Sequence, residues 1–147
     1  MTGAEPLFLY GTLRHPPLFA AVAGEPLRAE GAHLDDHAIC HAIAPSGKTL
    51  DFPLFLARAG AVAQGLLVRP GPQARARLDD YERAFGYDPV SITVMQDAGP
   101  VQALIYLPRA GLWQGGADWS LDTWVDRAGA LAVETVAEVM ALVPDTA

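Results

Sequence analysis

Residues 90–107 constrain the fold most, because they contain the clearest β-hairpin in the sequence. Residues 90–96 (VSITVMQ) alternate in polarity and are rich in β-branched side chains, and residues 101–107 (VQALIYL) form a second apolar run. Between them lies Asp97-Ala98-Gly99-Pro100, a composition typical of a turn. Strands joined by so short a turn are antiparallel neighbours, so part of the sheet must be antiparallel.

Further strands are predicted before this hairpin. Residues 6–10 (PLFLY) are apolar on both faces, which indicates a central strand. A weaker strand signal lies within residues 28–43, around Ala38-Ile39-Cys40. Two more strands are predicted over residues 54–56 and 62–68, separated by Arg58-Ala59-Gly60.

Three helices complete the predicted elements. One covers residues 16–24, with proline at its start and Gly24 at its end, and another runs from Pro72 to about Phe85. Residues 111–118 are predicted to form a connecting loop, and residues 120–143 an amphipathic helix. The predicted apolar face of that helix consists of Leu121, Trp124, Val125, Ala128, Leu131, Ala132, Val136 and Val139.

This order places too many strands side by side for a simple alternation of strands and helices. It favours an α+β fold with a mixed, curved sheet that can close into a small barrel. We therefore expect a barrel domain over residues 1–110. Residues 111–147 would supply the loop and a C-terminal helix, which packs on the same domain or forms a homodimer interface.

Composition excludes several function classes. The chain has 147 residues, 51% of them apolar and 18% charged, as in a globular domain. Its net charge of −7 argues against nucleic acid as a partner, because phosphates would be repelled. No apolar run is long enough to cross a membrane and no secretory signal is evident, and the single cysteine fits a reducing compartment. We expect a cytoplasmic protein with a small-molecule partner.

The first candidate site is the turn Tyr10-Gly11-Thr12-Leu13, which ends the first strand abruptly. A chain that leaves a strand through glycine can point several N–H groups to one side and bind an anion there. The alternative is a turn with a purely structural role, since glycine after a strand is common.

The second candidate is Glu82, in the segment Leu78-Asp79-Asp80-Tyr81-Glu82. Glu82 follows Leu78 by four residues and shares its helix face, which we expect to be buried, whereas Asp79 is expected to point into water. A carboxylate on an apolar face is costly unless it is paired or used, so Glu82 is the acid expected to have a shifted pKa. The alternative is a solvated helix end, with Glu82 paired to Arg75, Arg83 or water.

A third cluster contains His33, His37, Cys40 and His41. Histidines four residues apart could suggest a metal ion, but the spacing matches no zinc motif. The neighbouring Ala38-Ile39 indicates a strand, in which residues four apart lie too far apart to share one ion. We expect no metal site here.

Taken together, these segments resemble the gamma-glutamylcyclotransferase-like (AIG2-like) family over about residues 7–107. The YGTL turn lies near the N-terminus, and an LDxYE segment with Tyr87 follows about seventy residues later. Asp51-Phe52-Pro53-Leu54, residues 62–68 and Ala103-Leu104-Ile105-Tyr106 match the family's remaining segments in the expected order.

The resemblance implies a small mixed β-barrel flanked by helices and an enzyme without a cofactor. In the family reaction, the α-amine of a gamma-glutamyl amide attacks its own γ-carbonyl, releasing 5-oxoproline and an amine. Glu82 would be the general acid and base, while Tyr10, Gly11, Thr12, Leu13 and Tyr106 would bind the substrate. The resemblance also allows a domain that binds a small carboxylate metabolite without catalysis, as an accessory to a Nudix or tellurite-resistance system.

Three positions depart from the family pattern. Arg83 replaces the usual glycine after the acid, and Tyr87-Asp88-Pro89 lacks the arginine of the family's Y-x-R. His15-Pro16-Pro17 replaces a glycine-containing loop. These departures leave the catalytic acid in place but bear on which substrate is accepted.

Overall fold

A mixed sheet closed into a five-stranded barrel forms the centre of the molecule in a computed structural model, which describes residues 5–109 and 114–140. Its strands follow one another around the barrel in the order β3-β1-β5-β4-β2, and β2 pairs again with β3. The strands are β1 (Leu7–Leu9), β2 (Ala29–Ile43), β3 (Thr49–Val68), β4 (Tyr87–Gln96) and β5 (Gly99–Pro108). The predicted α+β class and small mixed barrel are confirmed.

β1 is a central strand, as its apolar sequence predicted. It runs antiparallel to β3 and parallel to β5, and all three of its residues are buried. Leu7 and Leu9 belong to one hydrophobic cluster and Phe8 to another, as expected from the alternation of side chains along a strand. The chain then leaves the sheet through Gly11 into a single 3-10 turn, Thr12–Arg14.

The long β2–β3 hairpin differs from the prediction. The weak strand signal in residues 28–43 belongs to a strand of 15 residues, and the two short strands predicted after it form one strand of 20 residues. The pairing shifts between Asp35 and His37, opposite residues 58–61, so the predicted break is a bulge within β3. There Asp36 accepts a hydrogen bond from the Gly60 N–H at 2.9 Å.

The predicted β4–β5 hairpin is confirmed, with Gln96 opposite Gly99. Helices α1 (Pro16–Ala23) and α2 (Pro72–Ala84) also lie where the sequence predicted them. Gly86 follows α2 with φ +85°, a conformation that side chains rarely adopt, and its N–H donates to the Arg83 carbonyl. This turn leads from α2 into β4 at Tyr87.

The C-terminal part corrects two predictions. Residues 114–118 of the expected loop form a sixth strand, β6 (Gln114–Asp118), which pairs with β2; residues 111–113 lie outside the described residues. A helix follows as α3 (Leu121–Trp124), a π-helical segment (Val125–Gly129) and α4 (Ala130–Met140). Residues 141–143 of the predicted helix also lie outside the described residues. Among the helices of the described chain, none is long and apolar enough to span a membrane.

Six of the eight residues on the predicted apolar face pack inward, including Ala132 and Val136 beyond the π-helical segment. A π turn contains one residue more than an α turn, which moves the edge of the inward face beyond it by about one residue. Leu131 and Val139 were predicted to face inward, but they are 68% and 55% exposed. Val133 and Met140 pack inward instead. Trp124 is buried against Trp119 within the subunit, and a homodimer stays a prediction.

Candidate active site

A cavity of about 100 Å³ opens between the C-terminal half of α2, the end of β1 and the β4–β5 hairpin. It brings together every residue that the sequence analysis singled out for the site. Its lining residues are Phe8, Leu9, Tyr10, Gly11, Thr12, Leu13, Phe52, Pro53, Tyr81, Glu82, Phe85, Tyr87 and Tyr106. Most of this surface is apolar or aromatic, and Glu82 is the one charged side chain among these residues.

Glu82 reaches the cavity because it lies one helical turn after Leu78, which is fully buried beneath α2. Burial raises the pKa of the Glu82 carboxyl to about 8. Within the described residues its carboxylate has neither an ion pair nor a hydrogen bond, because Arg75 pairs with Asp79 and Arg83 with Asp80 and Asp88. The alternative pairings of Glu82 with Arg75 or Arg83 are therefore absent, and its pKa is shifted in the expected direction.

Four tyrosines surround this carboxyl group. Burial raises the pKa values of Tyr10, Tyr81, Tyr87 and Tyr106, and in each case the negative charge of Glu82 raises the pKa further. These hydroxyls therefore stay protonated throughout the physiological range. They act as neutral hydrogen-bonding groups around one titrating acid.

The turn after β1 also lines the cavity. Its first hydrogen bond is donated by the Arg14 N–H to the Gly11 carbonyl, so the N–H groups of Gly11, Thr12 and Leu13 take no part in the 3-10 turn. The Arg14 guanidinium fixes this turn by donating to the carbonyls of Gly11 at 3.2 Å and Gln64 at 3.3 Å. A Cβ atom at Gly11 would lie 2.8 Å from the Pro53 side chain, so glycine is required by close approach.

Tyr106 is oriented by an acid that the sequence analysis placed in water. Its hydroxyl donates to Asp79 Oδ1 at 2.6 Å, and Arg75 Nε lies 3.3 Å from the same oxygen. The Asp79 side chain is only 23% exposed, so the prediction that it points into solvent is wrong. Asp79 lies three residues before Glu82, and this spacing places both acids on one helix face. The spacing could therefore have identified Asp79 as a residue of the site.

Two other tyrosines tie the walls of the cavity together. The Tyr10 hydroxyl donates to the Tyr106 carbonyl at 2.9 Å, and the Tyr87 hydroxyl donates to the Pro53 carbonyl at 3.3 Å. These bonds join β1 to β5 and β4 to β3 around the cavity. Tyr10 and Tyr87 therefore use their hydroxyls to hold the walls, and the sequence analysis had assigned no role to the Tyr87 side chain.

The histidine cluster lies elsewhere, on β2. His37 stacks on Phe55 with ring centroids 4.9 Å apart, while His41 Nδ1 lies 3.0 Å from the Leu50 carbonyl. The buried Cys40 Sγ accepts a hydrogen bond from Arg58 at 3.1 Å. Across residues 5–109 and 114–140 there is no group of three or more histidine, cysteine or acidic side chains that could hold a metal ion.

Comparison with known proteins decides the family. The sequence profile described as "Gamma-glutamyl cyclotransferase, AIG2-like" matches residues 7–125, most of the chain. The chain belongs to this family. Its YGTL turn, LDxYE segment and Tyr106 all lie within the matched range. A search of curated proteins gave no match.

Solved structures show the same fold at low sequence identity. One described as a gamma-glutamyl cyclotransferase has a TM-score of 0.63 and 14% identity, with 97% of this chain and 90% of that one covered. An Arabidopsis thaliana protein gives 0.63 and 14%, with coverage of 93% and 91%. An AIG2-like protein from Mus musculus gives 0.53 and 19%, with coverage of 79% and 88%.

Proposed function

We propose that this protein is a gamma-glutamyl cyclotransferase, a carbon–nitrogen lyase that converts a gamma-glutamyl amide to 5-oxoproline and a free amine. The observation that carries the proposal is the position of Glu82. Its carboxyl has no cationic partner among the described residues, its pKa is raised to about 8, and it shares one cavity with the Tyr10–Leu13 turn. Membership of the family supports the same activity.

The chemistry moves two protons from the α-nitrogen to the leaving nitrogen, because an ammonium becomes a ring amide and an amide nitrogen becomes an ammonium. The α-ammonium of the substrate loses its first proton to the Glu82 carboxylate, and the amine then attacks the γ-carbonyl carbon to close a five-membered ring. The protonated Glu82 gives this proton to the leaving nitrogen as the amide C–N bond breaks, and its carboxylate then takes the second proton from the ring nitrogen and passes it to the released amine. An α-amino group has a pKa of about 8, which matches the Glu82 pKa of about 8, so proton transfer costs little in either direction.

The turn would stabilise the charge that develops on the γ-carbonyl oxygen. The N–H groups of Gly11, Thr12 and Leu13 are the available donors, and fixed donors stabilise an oxyanion without reorganisation. The Tyr106 hydroxyl, held by Asp79, would also contact the bound substrate. Because nucleophile and carbonyl belong to one molecule, the remaining task is to hold its folded conformer.

Incubation with a panel of gamma-glutamyl amides tests the proposal directly. We expect 5-oxoproline and the free amine to appear in equal amounts, measured by chromatography coupled to mass spectrometry. Hydrolysis to glutamate instead would contradict the ring-closing mechanism. If the amides raise the melting temperature while no 5-oxoproline forms, the domain binds its ligand without catalysis and the proposal is wrong.

A further inference from the structure

The active-site cavity has a buried floor and an open rim. The floor is formed by fully buried side chains: Phe8, Leu9, Tyr10, Leu13, Pro53, Tyr87 and Tyr106. The five-membered ring would form against this floor, beside Glu82, so a sizeable group on the leaving amine would extend across the rim.

The rim is aromatic. Phe52 and Tyr81 are half-buried, and Phe85 is 54% exposed although it is a large apolar side chain. The Phe85 and Tyr81 rings meet edge to face with centroids 5.2 Å apart, and Phe52 packs in the same way on Tyr87 at 6.4 Å. Such a surface gains free energy by covering an apolar group, most of all another ring.

The rim also lacks positive charge. Among the described residues that line the cavity there is no lysine, arginine or histidine, and Glu82 is the one carboxylic acid. The cations nearest along α2 are already paired, Arg75 with Asp79 and Arg83 with Asp80 and Asp88. A carboxylate on the leaving amine would therefore find no cation at the rim, in a chain whose net charge is −7.

We infer that the leaving amine is one without a carboxylate, which carries an aromatic or similarly large apolar group across the Phe52–Tyr81–Phe85 rim. This inference rests on the proposed function, since it names the half of the substrate that the reaction releases. The bond that forms joins the α-nitrogen to the γ-carbon, and the bond that breaks joins that carbon to the leaving nitrogen. The two protons that the α-nitrogen loses pass to the leaving nitrogen, so the products are 5-oxoproline and a protonated hydrophobic amine.

Four matched substrates separate the effect of the ring from that of the carboxylate. They are the gamma-glutamyl derivatives of phenethylamine, phenylalanine, ethylamine and alanine, in which ring and carboxylate are each present or absent. We expect kcat/KM for 5-oxoproline formation to be about tenfold higher with the ring than without it. We expect the carboxylate to lower kcat/KM by about tenfold in each pair.

Variants at Phe85 test whether the rim causes the expected differences in kcat/KM among the four substrates. Phe85→Ala should bring the phenethylamine-to-ethylamine ratio of kcat/KM close to one, because the ring loses its main exposed contact. Phe85→Arg should raise the phenylalanine-to-phenethylamine ratio by about tenfold relative to Phe85→Met, which keeps the size without the charge. Leu131→Ala is the matched control, since Leu131 is exposed on α4 and does not line the cavity.

The outcomes distinguish this inference from the proposed function. If 5-oxoproline forms equally well from all four substrates, the cyclotransferase activity stands and the inference about the rim is wrong. If no substrate yields 5-oxoproline, the proposed function fails. Calorimetric titration of the four compounds then still tests whether the rim binds the aromatic group. Equal dissociation constants for the phenethylamine and ethylamine derivatives would overturn the inference about the rim.

Discussion

Two acids one turn apart on α2 stand in opposite surroundings. Asp79 accepts a hydrogen bond from the Tyr106 hydroxyl and pairs with Arg75, so its charge is compensated from two sides. Glu82 has no cation beside it among the described residues, and burial raises its pKa to about 8. One helix thus supplies an acid that fixes a neighbouring side chain and an acid that remains free to exchange a proton.

The difference arises from where the arginines of α2 point. Arg75 lies four residues before Asp79 and reaches it along the helix surface. Arg83 follows Glu82 directly, so it leaves the helix about 100° away from Glu82 and pairs with Asp80 and Asp88 instead. Glu82 therefore keeps its raised pKa even though an arginine is its sequence neighbour.

Removing the charge of Glu82 should have the largest effect. We expect Glu82→Gln to lower kcat by about 10³-fold, because general acid and base catalysis contributes 10²–10⁴-fold. Formation of 5-oxoproline is the measurement, with circular dichroism to show an unchanged fold. Asp80→Asn is the matched control, since Asp80 is exposed on the same helix and pairs with Arg83.

Full turnover in Glu82→Gln would remove the proton-transfer role assigned to this residue. A loss of the same size in Asp80→Asn would also contradict it, because it would attribute the effect to the general charge of α2. The contrast between the acid in the cavity and the exposed acid is therefore the decisive readout.

Removing the charge of Asp79 should have a smaller effect, because Asp79 acts through Tyr106 and is a positioning residue. A hydrogen bond to a charged group is worth about 2 kcal/mol, so we expect Asp79→Asn to lower kcat/KM by roughly 30-fold. Tyr106→Phe should give a loss of similar size, since it removes the other partner of the same bond.

The double variant of Asp79→Asn and Tyr106→Phe distinguishes positioning from general damage. If Asp79 acts only through the Tyr106 hydroxyl, the double variant should be no slower than the worse single variant. Losses that multiply would show that the two residues contribute independently. Asp79→Glu, which keeps the charge, should recover part of the activity.

The pH dependence of kcat/KM should follow Glu82 and not Asp79. The base form of Glu82 is required, and its pKa is about 8, so we expect kcat/KM to rise up to a pH of about 8. Well below that pH, the decline should approach tenfold per pH unit. Asp79→Asn should lower kcat/KM at every pH without moving the midpoint of the profile. A midpoint near 4 in the unchanged protein would contradict the raised pKa of Glu82.

The contrast also shows what the sequence could predict. Glu82 was found because a carboxylate four residues after a core leucine is costly unless used, and YGTL was found because glycine ends an apolar strand. The role of Asp79 was not predicted for two reasons. Helix periodicity places Asp79 away from Leu78, and its partner Tyr106 lies 27 residues further along the chain, on β5. Side-chain partners so far apart in sequence are determined by the closure of the barrel.

The errors in secondary structure have similar causes. β6 was predicted as a loop because Gly115 and Gly116 have low strand propensity, yet its backbone pairs with β2. The inward face of the C-terminal helix was predicted for an uninterrupted α-helix, and a π turn has no sequence signature of its own. In both cases the local sequence allows more than one structure, and tertiary contacts determine which one forms.

A separate expected effect concerns stability, where the two acids should differ in sign. The pKa of Glu82 rises from about 4.3 in the unfolded chain to about 8 in the fold, so the folded state retains a proton that the unfolded state loses. Stability therefore falls as the pH rises through this window. Relative to the unchanged protein, Glu82→Gln should gain about 1 kcal/mol per pH unit between pH 5 and 8.

Urea denaturation of both variants at pH 5, 6.5 and 8 measures this difference. Asp79→Asn should instead lose about 1 kcal/mol at pH 8, because Arg75 keeps its charge and its partner is gone. An advantage of Glu82→Gln that does not change with pH would mean that Glu82 titrates as it does in water. The fold would then favour neither protonation state of Glu82, and the contrast between Glu82 and Asp79 would lose its electrostatic basis.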